Sequence, residues 1–389
     1  MATNLLTQYP QPRKNLFFKS VIHFEKRLPP TFIKFETAFS ALFWKLPGAM
    51  VLERSLDDLF WVSEGANCYV YEVNPLIVLK VPKAGDQERE QFRKEVEIFN
   101  ILSRHPPCPF VISCFLHTND CIFLEYMRDI CLSWRIQQNH IRDHETMRVV
   151  RVEKFESLYL RKTWMSDLSH GVAFLESLNL AHGDLRPENI LLDRNRLKLS
   201  DFDSTTDIGS QFEACIAPYG RLLGSEGGPC QGTAGLLGPR TEQFALGSLF
   251  YLINYGFEVY GDQCFGDDPS GKEHGPVVVD LLQKMIFPKL NREPMIDSII
   301  RRCWYGEYET VAKLAADTEK LCGMGSEASG SKIEGVKGSA PISTDEFSSR
   351  RKLCEDLVRC GIPRALASRN PRQLGLPIKR RHVCWELLR

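Results

Sequence analysis

The sequence predicts an α+β fold in two unequal parts: a small β-rich part carrying one main helix, then a larger and mostly helical part. Three observations predict it. From residue 60 to about 127, short β-branched and aromatic runs alternate with turn residues and are interrupted by one long charged amphipathic stretch. From about 128 the apolar residues change to a helical spacing. A polar stretch, HGDLRPENILLDRNRLKLSDFD at 182–203, then breaks the helical part and reads as a loop followed by a hairpin.

Residues 1–54 form an extension in which Phe32, Phe35, Phe39, Leu42, Phe43 and Leu46 share one helical face, with Pro29 and Pro30 ahead of Thr31 as N-cap. The opposite face has few cations, so packing on the folded part is expected rather than a membrane surface. Residues 55–127 supply the runs FWVSEG, CYVYEV and LIVLKV as strands. The stretch GDQEREQFRKEVEIFNILSRH follows as a helix with Phe92, Val96, Phe99 and Leu102 in one stripe. PFVISCFL and CIFLEYM complete the sheet around the turn HTND. Residues 128–322 make the helical part. Trp164, Leu168, Val172 and Leu175 mark its first long helix, ILLD and LKLSD form a hairpin across RNR, and residues 204–238 read as a long surface loop. TEQFALGSLFYLINYG is apolar enough for a buried helix, and GPVVVDLLQKMIF, PMIDSIIRRCW and YETVAKLAADTEKL give further helices. Residues 323–349 have linker composition, and 350–389 hold an amphipathic stretch and a basic tail.

Composition narrows the function. Lys+Arg and Asp+Glu are both 49 in 389 residues, so no charge excess points to nucleic acid. No run of about 18 uncharged apolar residues is present, so no membrane span is expected. The first residues lack an apolar core after their charges, which argues against secretion. The 13 cysteines form no CxxC pair and no zinc spacing, and suit reduced thiols in an intracellular, most simply cytoplasmic, protein. Oligomeric state is not legible.

A β-rich lobe, an extended crossover at 125–130 and a helical lobe form an arrangement able to hold a nucleotide in the crease. Phosphoryl transfer needs positive charge on the phosphates, a divalent metal and a group to orient the nucleophile. Lys80, at the end of IVLK, supplies charge, and Glu95 lies on the helix where it can face the sheet edge. Asp184 can accept or orient a hydroxyl proton, while Asn189 and Asp201 bring oxygen ligands suited to Mg²⁺. The hairpin brings the last three to one end.

With IVLK, HGDLRPEN, DFD and EQFALGSLFYL in this order, residues from about 55 to 320 resemble a eukaryotic-type protein kinase domain with the two-lobed protein-kinase-like fold. GPRTEQFALGS and RRCWYGEY are most similar to divergent kinase-like proteins of filamentous fungi. The resemblance implies ATP and Mg²⁺ as cofactors, a protein hydroxyl as acceptor, and serine/threonine preference from Pro187-Glu188. It implies that Lys80 holds the α- and β-phosphates and Glu95 pairs with it. Asp184 would be the catalytic base, Arg186 a cation near the transferred phosphoryl, and Asn189 and Asp201 the metal ligands. Gly65 would belong to the glycine-rich loop, and Leu124 would be the gatekeeper. The backbones of Glu125 and Met127 would bind adenine between Val70, Val78 and Leu191.

The chain departs from the family pattern at several positions. Ser63 and Cys68 replace two glycines of the phosphate-covering loop, and Gly183 replaces the arginine of HRD. Asp203 replaces the glycine of DFG, Glu242 replaces an aspartate, and Arg240 stands where the glutamate of APE belongs. Pairing of Arg240 with Glu307 or Glu309 is therefore expected. The same residues leave two other readings open, a pseudokinase scaffold and a small-molecule phosphotransferase of the aminoglycoside type.

Overall fold

A computed structural model describes residues 59–212, 217–265, 273–323, 342–367, 370–372, 374 and 376–377. The expected helix near residues 31–46, most of the linker stretch and the basic end of the chain lie outside the described residues. Five antiparallel strands, β1 (Phe60–Glu64), β2 (Cys68–Asn74), β3 (Ile77–Pro82), β4 (Cys114–Thr118) and β5 (Cys121–Glu125), form one sheet in the order β1-β2-β3-β5-β4. Helix α1 (Asp86–Leu102) lies between β3 and β4 in sequence.

Strand alternation sorts the side chains of this sheet onto two faces. Tyr69, Tyr71, Ile77, Leu79, Val81, Cys121 and Phe123 enter one apolar cluster, while Cys68, Val78, Ile122 and Leu124 enter the other. Lys80 shares the parity of Val78, and pairs with Val70 and Ile122 across the ladder. Both faces are covered, which explains the near-continuous apolar runs in β3 and β5. One face meets α1 through Phe92, Val96 and Phe99. The other meets α8 (Thr344–Arg359) and α9 (Ile362–Leu366), which bring Cys354, Ile362 and Leu366 into full burial.

The larger lobe comprises α2 (Leu132–Gln137), a hairpin β6 (His140–Arg142) and β7 (Val149–Val152), and α3 (Leu158–Ser177). Short strands β8 (Leu180–Ala181), β9 (Ile190–Asp193), β10 (Arg196–Leu199) and β11 (Thr206–Asp207) follow. Helices α4 (Pro239–Tyr255), α5 (His274–Gln283), α6 (Pro294–Trp304) and α7 (Val311–Gly323) complete it. Ser157 caps α3 by accepting from Leu160 N at 3.2 Å. Helix α4 opens with Pro239 in its first turn and ends at Gly256, whose φ of 82° suits a left-handed C-terminal stop. Every residue from Thr241 to Tyr255 is buried, as its all-round apolar sequence requires.

Several expectations need correction. The strand expected over PFVISCFL begins only at Cys114, because Phe110 to Ile112 leave the sheet and bond β10 instead, with Ile112 N on Leu199 O at 2.9 Å. The loop expected at 204–238 contains β11, which pairs with β8, and a 3-10 segment at Ser225–Cys230. Helix α8 starts inside the stretch of linker composition. Ser343 caps it by accepting from Glu346 N at 3.3 Å, a short polar signal that composition averages away. The β6–β7 hairpin was not anticipated. Its sequence is charged and its turn is made by Asp143, which accepts from Glu145 N and Thr146 N. Among the described residues no helix is long and apolar enough to cross a membrane.

Candidate active site

Lys80 leaves β3 on the sheet face that looks toward α1 and the hairpin β9–β10. Its Nζ lies 2.6 Å from Glu95 Oε2 and 2.7 Å from Asp201 Oδ1. Helical spacing places Glu95 on the stripe of Phe92, Val96 and Phe99, so the carboxylate faces inward and is 1% exposed. Burial works against the Lys80 charge, but Asp201 and then Glu95 outweigh it and hold the ammonium well above the ordinary lysine range. Burial pushes the Glu95 carboxyl up to about 7 in spite of Lys80. The contact to Lys80 is an ion pair without good hydrogen-bond alignment, and the Glu95 oxygens have no other partner in the described residues. Asp201 is likewise opposed by burial, yet the Lys80 charge holds it below the usual carboxylate range. About a third of its side chain stays exposed to the cleft (35%).

The loop before β9 is tied to the same end of the hairpin. Asn189 Nδ2 donates to Asp184 O at 2.8 Å and to Asp184 Oδ2 at 2.9 Å. That fixes the amide orientation and leaves its oxygen available as a ligand. Arg186 Nε stands 3.2 Å from Asp184 Oδ2. His182 is fully buried, with Nε2 at 3.1 Å from Ser200 O and Nδ1 at 3.3 Å from Asp184 N. An amide donor at Nδ1 and a carbonyl at Nε2 select the neutral tautomer protonated on Nε2. Burial, the largest influence, lowers its pKa in the same sense. Phe202 packs edge-on against Phe99 of α1, with centroids 5.5 Å apart, and against His182 at 5.5 Å. The helix that carries Glu95 and the turn that carries Asp201 are thereby coupled by packing.

The apolar wall of the crease is assembled from both lobes. Val78, Leu124 and Met127 are buried in one cluster, with Val70 and Leu191 packed against it. Gly65 makes the turn between β1 and β2, donating its N–H to Cys68 O at 2.9 Å. At the crossover, Glu125 N donates to Ser113 O at 2.9 Å and Tyr126 N to Leu76 O at 3.0 Å. The Glu125 side chain turns away from the crease into a buried cluster, 2.6 Å from Lys198 Nζ and 3.2 Å from Arg196 Nη1. Lys198 and Arg196 were missed by sequence reasoning. Their period-2 spacing on the second hairpin strand was the available signal. An apolar slot ending in Lys80, a free carboxylate face and an amide oxygen fits a nucleotide with a magnesium ion. No three His, Cys, Asp or Glu side chains gather for a metal among the described residues. A Mg²⁺ here would thus complete its shell with phosphate oxygens and water.

Residues 67–221 match the family model described as protein kinase domain. Over these residues the chain carries a protein kinase domain. It is similar to CBL-interacting serine/threonine-protein kinase 20 of Arabidopsis thaliana, 22% identical over 233 residues that cover 56% of this chain and 48% of the relative. The liver/testis isoform of the phosphorylase b kinase gamma catalytic chain of Homo sapiens is 31% identical over 122 residues, 31% of this chain and 27% of the relative. Testis-specific serine/threonine-protein kinase 1 of Mus musculus is 28% identical over 160 residues, 35% of this chain and 42% of the relative. The chain spans about half or less of these curated relatives.

The residues that depart from the family pattern have local structural settings. Gly183 adopts φ +77°, and a Cβ there would lie 2.7 Å from Ser204 O. Glu242, at the start of α4, accepts from His182 N at 2.9 Å and Gly183 N at 3.3 Å, so it fastens the loop ahead of β9 to α4. Asp203 accepts from Asn67 Nδ2 at 2.9 Å and from Ser204 Oγ at 3.2 Å. The expected Arg240 pairing fails. Arg240 Nη2 donates to Ala234 O at 2.5 Å, while Glu307 pairs with Arg301 at 2.7 Å and Glu309 pairs with Lys313. Carboxylates four to six residues from a cation in their own segment satisfy it locally, which sequence alignment across a divergent segment does not reveal.

Proposed function

We propose that the kinase domain transfers the γ-phosphoryl group of ATP to a serine or threonine hydroxyl of a protein substrate. The observation that carries this reading is the placement of Lys80 between Glu95 and Asp201, at the same end of the β9–β10 hairpin as the loop that holds Asp184 and Asn189. In this reading Lys80 neutralises the α- and β-phosphates and Glu95 fixes its position. Asn189 and Asp201 hold Mg²⁺, which when bound screens the charge developing on the transferred phosphoryl. Asp184 orients the acceptor hydroxyl and takes its proton, with Arg186 holding the Asp184 carboxylate and adding positive charge nearby. The adenine lies between Val70, Val78 and Leu191 beneath Leu124. It meets the carbonyl of Glu125 and the backbone of Met127, since the N–H of Glu125 is already taken by Ser113. Gly65 gives the loop over the phosphates its turn. The domain extends over about 55–322 in this reading.

A second reading, a pseudokinase scaffold, is favoured by the loop between β1 and β2, where Ser63 and Cys68 stand in place of two glycines. The two separate on a peptide array carrying serine, threonine and tyrosine acceptors, incubated with ATP and with or without Mg²⁺. Magnesium-dependent incorporation on serine or threonine supports the kinase. Nucleotide binding without incorporation on any peptide supports the scaffold.

A further inference from the structure

The loop between β1 and β2 is bonded to the turn that follows β10. Asn67 bridges the two: its backbone oxygen accepts from Lys83 N at 2.9 Å, and its side-chain amide donates to Asp203 Oδ2 at 2.9 Å. The first bond anchors the loop to the end of β3. The second crosses the mouth of the crease, 136 positions away in sequence. Asp203 and Cys68, the neighbour of Asn67, are departures from the family pattern, which has glycine at both places.

The consequences follow from what lies beneath. Cys68, next to Asn67, is 4% exposed, and feels the charges of Lys80, Glu95, Asp201 and Asp203. The loop is therefore closed onto the ion-pair cluster rather than arched above it. Lys80, the cation that phosphates require, is already held by two carboxylates. Asp203 adds a further carboxylate beside Asp201, where a phosphate chain without metal would be repelled.

We propose that Asn67 and Asp203 form an autoinhibitory latch that shuts the phosphate end of the crease, and that a nucleoside polyphosphate binds only to the molecules in which this bond is broken. The proposal rests on the nucleotide-binding reading above for its ligand, but the latch itself is a property of the empty protein. A closed majority lowers apparent affinity by the fraction of open molecules, so weakening the latch tightens binding without any new contact. A side-chain hydrogen bond to a charged acceptor is strong enough to shift that fraction by about tenfold.

Two readouts on the full chain test it. The first is alkylation of Cys68 by N-ethylmaleimide without nucleotide or metal, followed by peptide mass spectrometry. Cys354, fully buried in the other cluster, serves as the control for global unfolding. Asn67→Ala should raise Cys68 labelling by about tenfold with Cys354 unchanged. Asp203→Ala, which also loses the Ser204 bond, should raise it at least as much, and adding Asn67→Ala to it should add nothing further, because the bond between the two residues is already gone. The second readout is affinity for a fluorescent ADP analogue with Mg²⁺, which should tighten in Asn67→Ala by a factor similar to the labelling gain. Unchanged Cys68 labelling, or additive effects in the double variant, would overturn the latch. Faster labelling with unchanged nucleotide affinity would overturn its role as a gate. Absence of nucleotide binding in every variant, with faster Cys68 labelling, would instead overturn the nucleotide reading on which the gate depends.

Discussion

At residue 183 the backbone stands in the left-handed region, with Ser204 O close above it. The missing HRD arginine is therefore a consequence of local geometry as well as a lost charge. Gly183→Ala should destabilise the protein by about 1–3 kcal/mol, the usual range for a strained backbone position, seen as a lower denaturant midpoint. A midpoint equal to that of the unaltered chain would contradict this. Glu242 offers a pH test. Burial pushes its carboxyl up to about 7, against the pull of the His182 and Gly183 amides. A folded-state value above the unfolded one means that its contribution to stability is full below about pH 4.3 and fades as pH rises through 7. Glu95 also titrates near 7, so the informative comparison is between proteins. Stability should fall from pH 5 to pH 8 less steeply in Glu242→Gln, which has no proton to lose there. Parallel profiles would remove Glu242 from this role.

At the scale of elements, the sheet is stabilised from both sides, and its outer cover comes from the far end of the chain. Ile362 and Leu366 of α9 and Cys354 of α8 are fully buried against Tyr71, Leu79 and Phe123. Ile362→Ala should cost about 2–5 kcal/mol, the range for a large-to-small change in a packed core, although the residue lies well beyond the part matched by the family model. Chemical denaturation reads the effect. A change below about 0.5 kcal/mol, typical of a surface site, would mean that the segment does not pack as described. The strands β2 and β3 were legible, because β-branched and aromatic residues occupied both parities. What covered the second parity was not. Amphipathic stretches give a face but no partner, so RRKLCEDLVRCG read only as a tail. The β6–β7 hairpin escaped for the opposite reason, since its pairing rests on exposed charged residues and an Asp143 turn rather than on an apolar face.

Across the whole molecule, the sequence carried the two lobes because motif order constrains them jointly. Lys80 meets Glu95 and, across more than one hundred positions of chain, Asp201, while Asn189 holds Asp184. Contacts made by residues that depart from the family pattern were not readable, because no pattern supplies their partners. Asp203 found Asn67 and Arg240 found a backbone oxygen. The central claim is that Asp184 serves the transfer step rather than the fold. The most direct measurement compares phosphoryl transfer from Mg²⁺-ATP by the unaltered chain and by Asp184→Asn, with nucleotide affinity measured in parallel. The account predicts transfer by the unaltered chain, reduced by about 10²-fold or more in the variant at similar nucleotide affinity. Equal transfer by both proteins, or none by either with nucleotide bound, would contradict it.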